Sequence, residues 1–120
     1  MIRRNKFNSR RVVFDGQSFP SMLEGALWTH LKLLEYGGKL RDVTRQPTVF
    51  LTKAKISFKP DFMAYDVELG KDVYYESKGV ETERWRMIKK LWEYYGPSIL
   101  RVYRGTHRRL TLAVEIIPKE

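Results

Sequence analysis

Cysteine is absent from this 120-residue sequence, and histidine occurs only twice, as His30 and His107. Disulfides and thiolate metal centres are excluded, and a histidine-rich zinc site lacks the ligands it needs. Any bound metal has to be held by oxygen. No apolar run is long enough to span a bilayer, and no signal-peptide core is visible. The expected location is cytoplasmic, with no membrane partner. There is no internal repeat and no low-complexity segment. Acidic residues are the minority charge, 14 against 23 basic, for a net charge of +9. That balance favours a polyanionic partner, most simply nucleic acid.

What is present suits a globular protein: 42% hydrophobic and 31% charged residues. The length allows one domain with a real core. Residues 1–11 carry Arg3, Arg4, Lys6, Arg10 and Arg11 with no strong periodicity. They read as a flexible basic arm that either touches phosphates or is merely solvated. Residues 12–120 read as a single domain.

Within it, Val12–Phe19 reads as a small hairpin turning at Asp15-Gly16. A helix is expected over 21–36, with Ser21 as N-cap and Gly37-Gly38 ending it. Its apolar positions are Leu23, Leu27, Leu31 and Leu34. Glu24 has two readings there: it completes a capping box with Ser21, or it reaches toward a metal site. Trp28 reads as core or interface, and His30 and Glu35 as surface or packing residues. A strand is expected over Thr48–Thr52. Lys53, Lys55 and Lys59 form a local basic cluster that could lie beside a cleft. A second helix is expected over 82–95, with Trp85, Ile88, Leu91, Trp92 and Tyr95 as its apolar stripe. Arg84, Arg86, Lys89 and Lys90 lie largely elsewhere on it, facing either DNA or solvent. Residues 98–104 read as a strand parallel to 73–78 across a β-α-β unit, and 110–117 as an edge strand.

The chemistry gathers between Lys59 and Gly79. Lys59-Pro60-Asp61-Phe62 opens a hairpin expected to turn at Leu69–Asp72, and Tyr74-Tyr75-Glu76-Ser77-Lys78-Gly79 closes it. Asp66 and Glu68 read as solvated near that turn, and Asp72 as a turn residue. Alternation puts Glu76 and Lys78 on one face and turns Ser77 to the other. If the two segments pair as a hairpin, Asp61 can come close to Glu76. Two carboxylates beside a lysine are hard oxygen ligands suited to Mg²⁺, and a cation with a lysine beside it can activate water against a phosphodiester. The bland alternative is a solvated hairpin, because Glu and Lys often share an exposed strand face.

The order of motifs resembles the PD-(D/E)xK nuclease superfamily, and within it small phage-encoded nucleases related to archaeal-type Holliday junction resolvases. The likeness runs from about Val12 to Arg104. It rests on the Asp15-Gly16 hairpin, the Ser21-x-x-Glu24 helix start, Gln46-Pro47, Lys59-Pro60-Asp61-Phe62 and Glu76-Ser77-Lys78-Gly79. It implies an α/β, restriction-endonuclease-like core: a central mixed β-sheet flanked by two main helices. It further implies Asp61 and Glu76 as metal ligands, with Glu24 and the Ser77 carbonyl contributing. Glu24, Asp61, Glu76 and Lys78 become the catalytic set, with Mg²⁺ as cofactor, Mn²⁺ as a substitute, and no organic cofactor. The implied substrate is branched DNA, a four-way junction cut by a homodimer in a phage-infected bacterial host. Arg3, Arg4, Lys6, Arg10, Arg11, Lys53, Lys55, Lys59, Arg84 and Arg86 are the candidate DNA contacts. No separate sequence-reading domain is expected. Two further readings stay open: another endonuclease on the same core (nickase, flap or debranching, restriction-like), and a non-catalytic nucleic-acid-binding protein.

Overall fold

A computed structural model describes residues 11–119. Its centre is a five-stranded mixed sheet in the order β3 (Leu40–Arg45), β6 (Phe62–Asp66), β7 (Lys71–Ser77), β8 (Leu100–Thr106) and β9 (Arg109–Ile116). β7 and β8 run parallel and every other neighbouring pair antiparallel. Helix α1 (Met22–Tyr36) covers one face and helix α2 (Glu83–Tyr95) the other. The fold is therefore α/β, with a central mixed sheet between two helices, compatible with a restriction-endonuclease-like core. No helix among the described residues is long and apolar enough to cross a membrane.

Period-two alternation sorts the side chains between the two cores. In β7, Val73 and Tyr75 point to the α1 side, where they meet Phe19, Leu27, Trp28, Leu31 and Phe62. Tyr74 points to the α2 side, against Trp85, Ile88, Trp92, Leu100 and Val102. Fully burying each Leu or Ile of these clusters stabilises the fold by roughly 1.5–3 kcal/mol. Two short ribbons dress this frame. β1 (Val12–Phe14) and β2 (Gln17–Phe19) join through Asp15 and Gly16, both in the left-handed region at φ 55° and 74°, as a tight two-residue hairpin turn requires. β4 (Val49–Phe50) pairs with β5 (Ser57–Phe58) and packs Val49, Leu51 and Phe58 onto the α2 core.

Several expectations shift. The strand expected over Thr48–Thr52 shrinks to the two residues of β4 and stays outside the main sheet. The sheet strand in this region is β3, which carries the apolar Leu40 and Val43. The central turn lies at 67–70, two residues earlier than expected. Asp66 causes this: its Oδ1 accepts from the Leu69 amide at 2.9 Å and its carbonyl from the Gly70 amide at 2.8 Å, with Gly70 at φ 70°. Asp66 is consequently buried, not solvated, and its carboxylate meets Arg101 at 3.4 Å. Asp72 belongs to β7, opposite Tyr65. Tyr95 drops out of the buried stripe of α2, which turns it to solvent at 59% exposure.

Candidate active site

The register of one hairpin builds the site. Phe62 pairs with Tyr75 in β6–β7, so the next pair outward is Asp61 with Glu76. The Asp61 amide donates to Glu76 Oε1 at 3.0 Å. In return, Asp61 Oδ2 accepts from both the amide and the hydroxyl of Ser77, each at 2.7 Å. The Asp61 carbonyl accepts from the Gln46 amide at 2.9 Å, with Gln46 at φ 51°. Asp61 is thus tied by its backbone to Gln46 and Glu76 and by its carboxylate to Ser77.

Ser77 departs from the expected alternation. Its hydroxyl is at the site, because the strand ends at this residue and its short side chain bonds Asp61 across the hairpin. Glu76 and Lys78 do share a side. Lys78 Nζ lies 3.3 Å from Glu76 Oε2, and the ammonium sits 4.8 Å from the centre of the Trp85 ring. That aromatic face holds the cation where its carbons are packed.

The fourth group arrives from α1. Ser21 caps the helix, its hydroxyl accepting from the Glu24 amide at 3.1 Å. The Glu24 carboxylate turns away from the cap toward Asp61, and its Oε2 is buried without a hydrogen-bond partner among the described residues. Arg45 lies 3.7 Å from that oxygen. Arg45 is itself clamped: it bonds Gln17 Oε1 at 3.3 Å and the Ser18 carbonyl at 3.1 Å, and lies 4.2 Å over the Phe19 ring. Nothing local marks Arg45 in the sequence, since Glu24 is far away along the chain. Only the packing of α1 beside β3 brings the two together.

Three acidic groups so placed resist ionisation. Burial pushes Glu24 up to about 8, helped by the Asp61 charge and a hydrogen bond shared with Asp61. Burial and the Asp61 charge push Glu76 up to about 8, against the pull of Lys78. Asp61 is raised by burial too, though the Ser77 bonds favour its charged form. The common cause is negative charge taken from water without enough positive charge beside it.

No three acidic or imidazole groups among the described residues stand together as a finished metal cage. The acidic groups meet in pairs, Glu24 with Asp61 and Asp61 with Glu76. That arrangement still fits Mg²⁺, which usually keeps several waters and takes only one or two protein carboxylates. The orphaned Glu24 oxygen and the raised carboxyl groups mark a concentration of negative charge that a cation would offset.

Of the candidate DNA contacts, Arg3, Arg4, Lys6 and Arg10 lie outside the described residues. Arg11 is exposed, bonds Ser18 Oγ at 3.2 Å, and bears electrostatically on Glu24. Lys59 is exposed two residues before Asp61. Lys53 and Lys55 are exposed beyond β4, on the ribbon that packs against the α2 core. Arg84 and Arg86 are exposed on the first turns of α2, Arg84 reaching the Ser57 carbonyl at 3.3 Å.

A family model described as a protein of unknown function, DUF1064, matches residues 4–111. The chain belongs to this family. The match takes in Glu24, Asp61, Glu76, Ser77 and Lys78, together with both helices and every strand up to the start of β9. No curated protein matches the chain.

Proposed function

We propose that this DUF1064 chain is a Mg²⁺-dependent DNA endonuclease of the PD-(D/E)xK type. The finer reading is a phage-type resolvase that makes paired nicks in four-way junctions as a homodimer. One observation carries the reading: a single hairpin register puts Asp61 against Glu76, with Ser77 bonded to the first and Lys78 to the second. A solvated hairpin would leave these charges in water, whereas Glu76 is 5% exposed. The net charge of +9 supplies the attraction to a polyanion that a buried acidic cluster alone would repel.

Asp61 and Glu76 would hold the cation, with Glu24 and the Ser77 carbonyl as further oxygen donors. Bound there, Mg²⁺ supplies Lewis acidity toward the phosphate and toward a water. The chain's own groups do the rest. Ser77 fixes the rotamer of Asp61 through two hydrogen bonds. Lys78, held between Glu76 and the Trp85 ring, orients the attacking water or neutralises charge growing on the phosphate oxygens. Glu24 adds negative charge from the α1 side, balanced by Arg45. Two such sites in a two-fold dimer suit paired nicks on opposed strands. Contacts would go mainly to phosphates and to branched shape, with little base readout.

The deciding experiment compares a labelled immobile four-way junction with a matching linear duplex, each with Mg²⁺ and with chelator. Metal-dependent paired nicks in the junction alone support the resolvase reading. Metal-dependent cutting of both substrates keeps the endonuclease and removes the junction selectivity. Junction binding with no cutting under Mg²⁺ or Mn²⁺ overturns the catalytic reading.

A further inference from the structure

Beside Lys78, two more cations grip a single carboxylate. Lys89 Nζ lies 2.5 Å from Glu81 Oε1, and Arg104 lies 2.6 Å from Glu81 Oε2. The cluster joins the candidate active site at two points. Arg104 also donates to the Lys78 carbonyl at 3.5 Å. The ammonium groups of Lys78 and Lys89 approach the same Trp85 ring, at 4.8 and 5.9 Å.

Three positive side chains from β8, α2 and the end of β7 are thus drawn to one place, where like charges repel. Glu76 and Glu81 offset them, and the two carboxylates differ in burial. Glu76 is buried in the hairpin and bonded to the Asp61 amide. Glu81 lies in the loop between β7 and α2, outside any strand or helix, with its side chain 31% exposed. Its hydrogen bond to Lys89 holds its carboxyl below the ordinary range, so it stays charged. Two donors aimed at the two oxygens of one loop anion make a seat that a phosphate also fits, because its anionic oxygens accept the same charge-assisted pair.

We propose that Lys89 and Arg104 form a phosphate subsite beside Lys78, filled by Glu81 in the free protein and taken over by a backbone phosphate of bound DNA. This rests on the endonuclease reading above and extends it: Glu81 acts as a built-in competitor. Displacing it frees the two cations for the strand next to the scissile phosphate.

The test is fluorescence anisotropy with a labelled four-way junction in chelator, over a series of salt concentrations. Glu81→Gln should bind roughly three- to tenfold more tightly than the wild type. The double variant Lys89→Ala/Arg104→Ala should bind about tenfold more weakly, with a salt slope smaller by about one. Adding Glu81→Gln to that double variant should then bring no gain. A gain of equal size in both backgrounds would mean general charge relief and overturn the subsite, as would a neutral Glu81→Gln. If the wild type fails to bind DNA at all, the endonuclease reading falls first. That outcome differs from binding that is present but indifferent to Glu81.

Discussion

Asp61 and Glu76 hold each other across one rung of the β6–β7 hairpin: the Asp61 amide donates to Glu76 Oε1 at 3.0 Å, and the residue after Glu76 returns two donors to the Asp61 carboxylate. Each acidic side chain is thereby oriented by the backbone of the other's strand. Small changes at either position should be read in the chemistry before they are read in the fold.

Asp61→Asn keeps an oxygen that can face the Ser77 donors but removes the charge. Cleavage should fall by about 100-fold or more while junction binding persists. Ser77→Ala removes only the hydroxyl and leaves the amide on Oδ2, so the apparent Mg²⁺ affinity should drop by about tenfold. Single-turnover cleavage against Mg²⁺ concentration separates the two. An Asp61→Asn variant that cuts like the parent would show that the site is misassigned.

Ser21 and Glu24 separate the two readings of the first helical turn. Ser21→Ala should cost about 1 kcal/mol of stability through the lost cap, with little change in cleavage rate. Glu24→Gln leaves the cap bond to its own amide intact. It should change the metal dependence of cleavage with little loss of stability. Chemical denaturation alongside cleavage assays reads both effects; the reverse pattern would make Glu24 a capping residue only.

The raised carboxyl groups have a consequence for stability. Glu24 and Glu76 start from an ordinary value of 4.5 and reach about 8 in the folded protein. Between those values the folded state binds more protons than the unfolded one, so stability falls as pH rises. In chelator, the melting temperature should be highest near pH 5 and decline toward pH 9. Mg²⁺ should oppose that decline most strongly at the alkaline end. A flat or rising profile in chelator would contradict the buried acidic cluster.

Gly25 tests how the N-terminal hairpin seats on α1. A Cβ at this position would come within 2.4 Å of the Phe14 ring and 3.2 Å of Val12. Helix propensity favours alanine by about 1 kcal/mol, yet overpacking of this kind costs about 1–3 kcal/mol. Gly25→Ala should therefore destabilise the protein. In a Phe14→Ala background the same change should stabilise it, because the ring is gone and the propensity remains. Thermal melts of the four proteins give the sign directly.

Much of this molecule was legible along the chain. The Asp15-Gly16 turn, the Ser21 cap and most of the apolar stripes of both helices follow from rules that act over a few residues, and the parallel β7–β8 pair from the crossover between them. That Asp61 and Glu76 converge on one hairpin was legible too, but not their register: a turn at 69–72 would set Glu76 opposite Tyr65, and only the turn at 67–70 sets it opposite Asp61. Nor was the placement of Asp66 legible. Its side chain caps the turn locally, but its buried carboxylate also meets Arg101, which arrives from a strand 35 residues later. β3 was given no bounds in the sequence, and its place at the sheet edge is set by its pairing with β6.

The sequence by itself determined which residue types were available: oxygen ligands without sulfur, a surplus of positive charge, and an acid–acid–lysine set on one hairpin. Only the tertiary structure decided who stands beside whom. It brought Glu24 to Asp61 from another element and set Arg45 against it. It also gathered Lys78, Lys89 and Arg104 around Trp85 and Glu81. The physical reason is range. Caps, turns and strand alternation are decided by neighbours in sequence. Charge balance in a buried site is decided by neighbours in space, and those are known only once the sheet has its order and each helix its face.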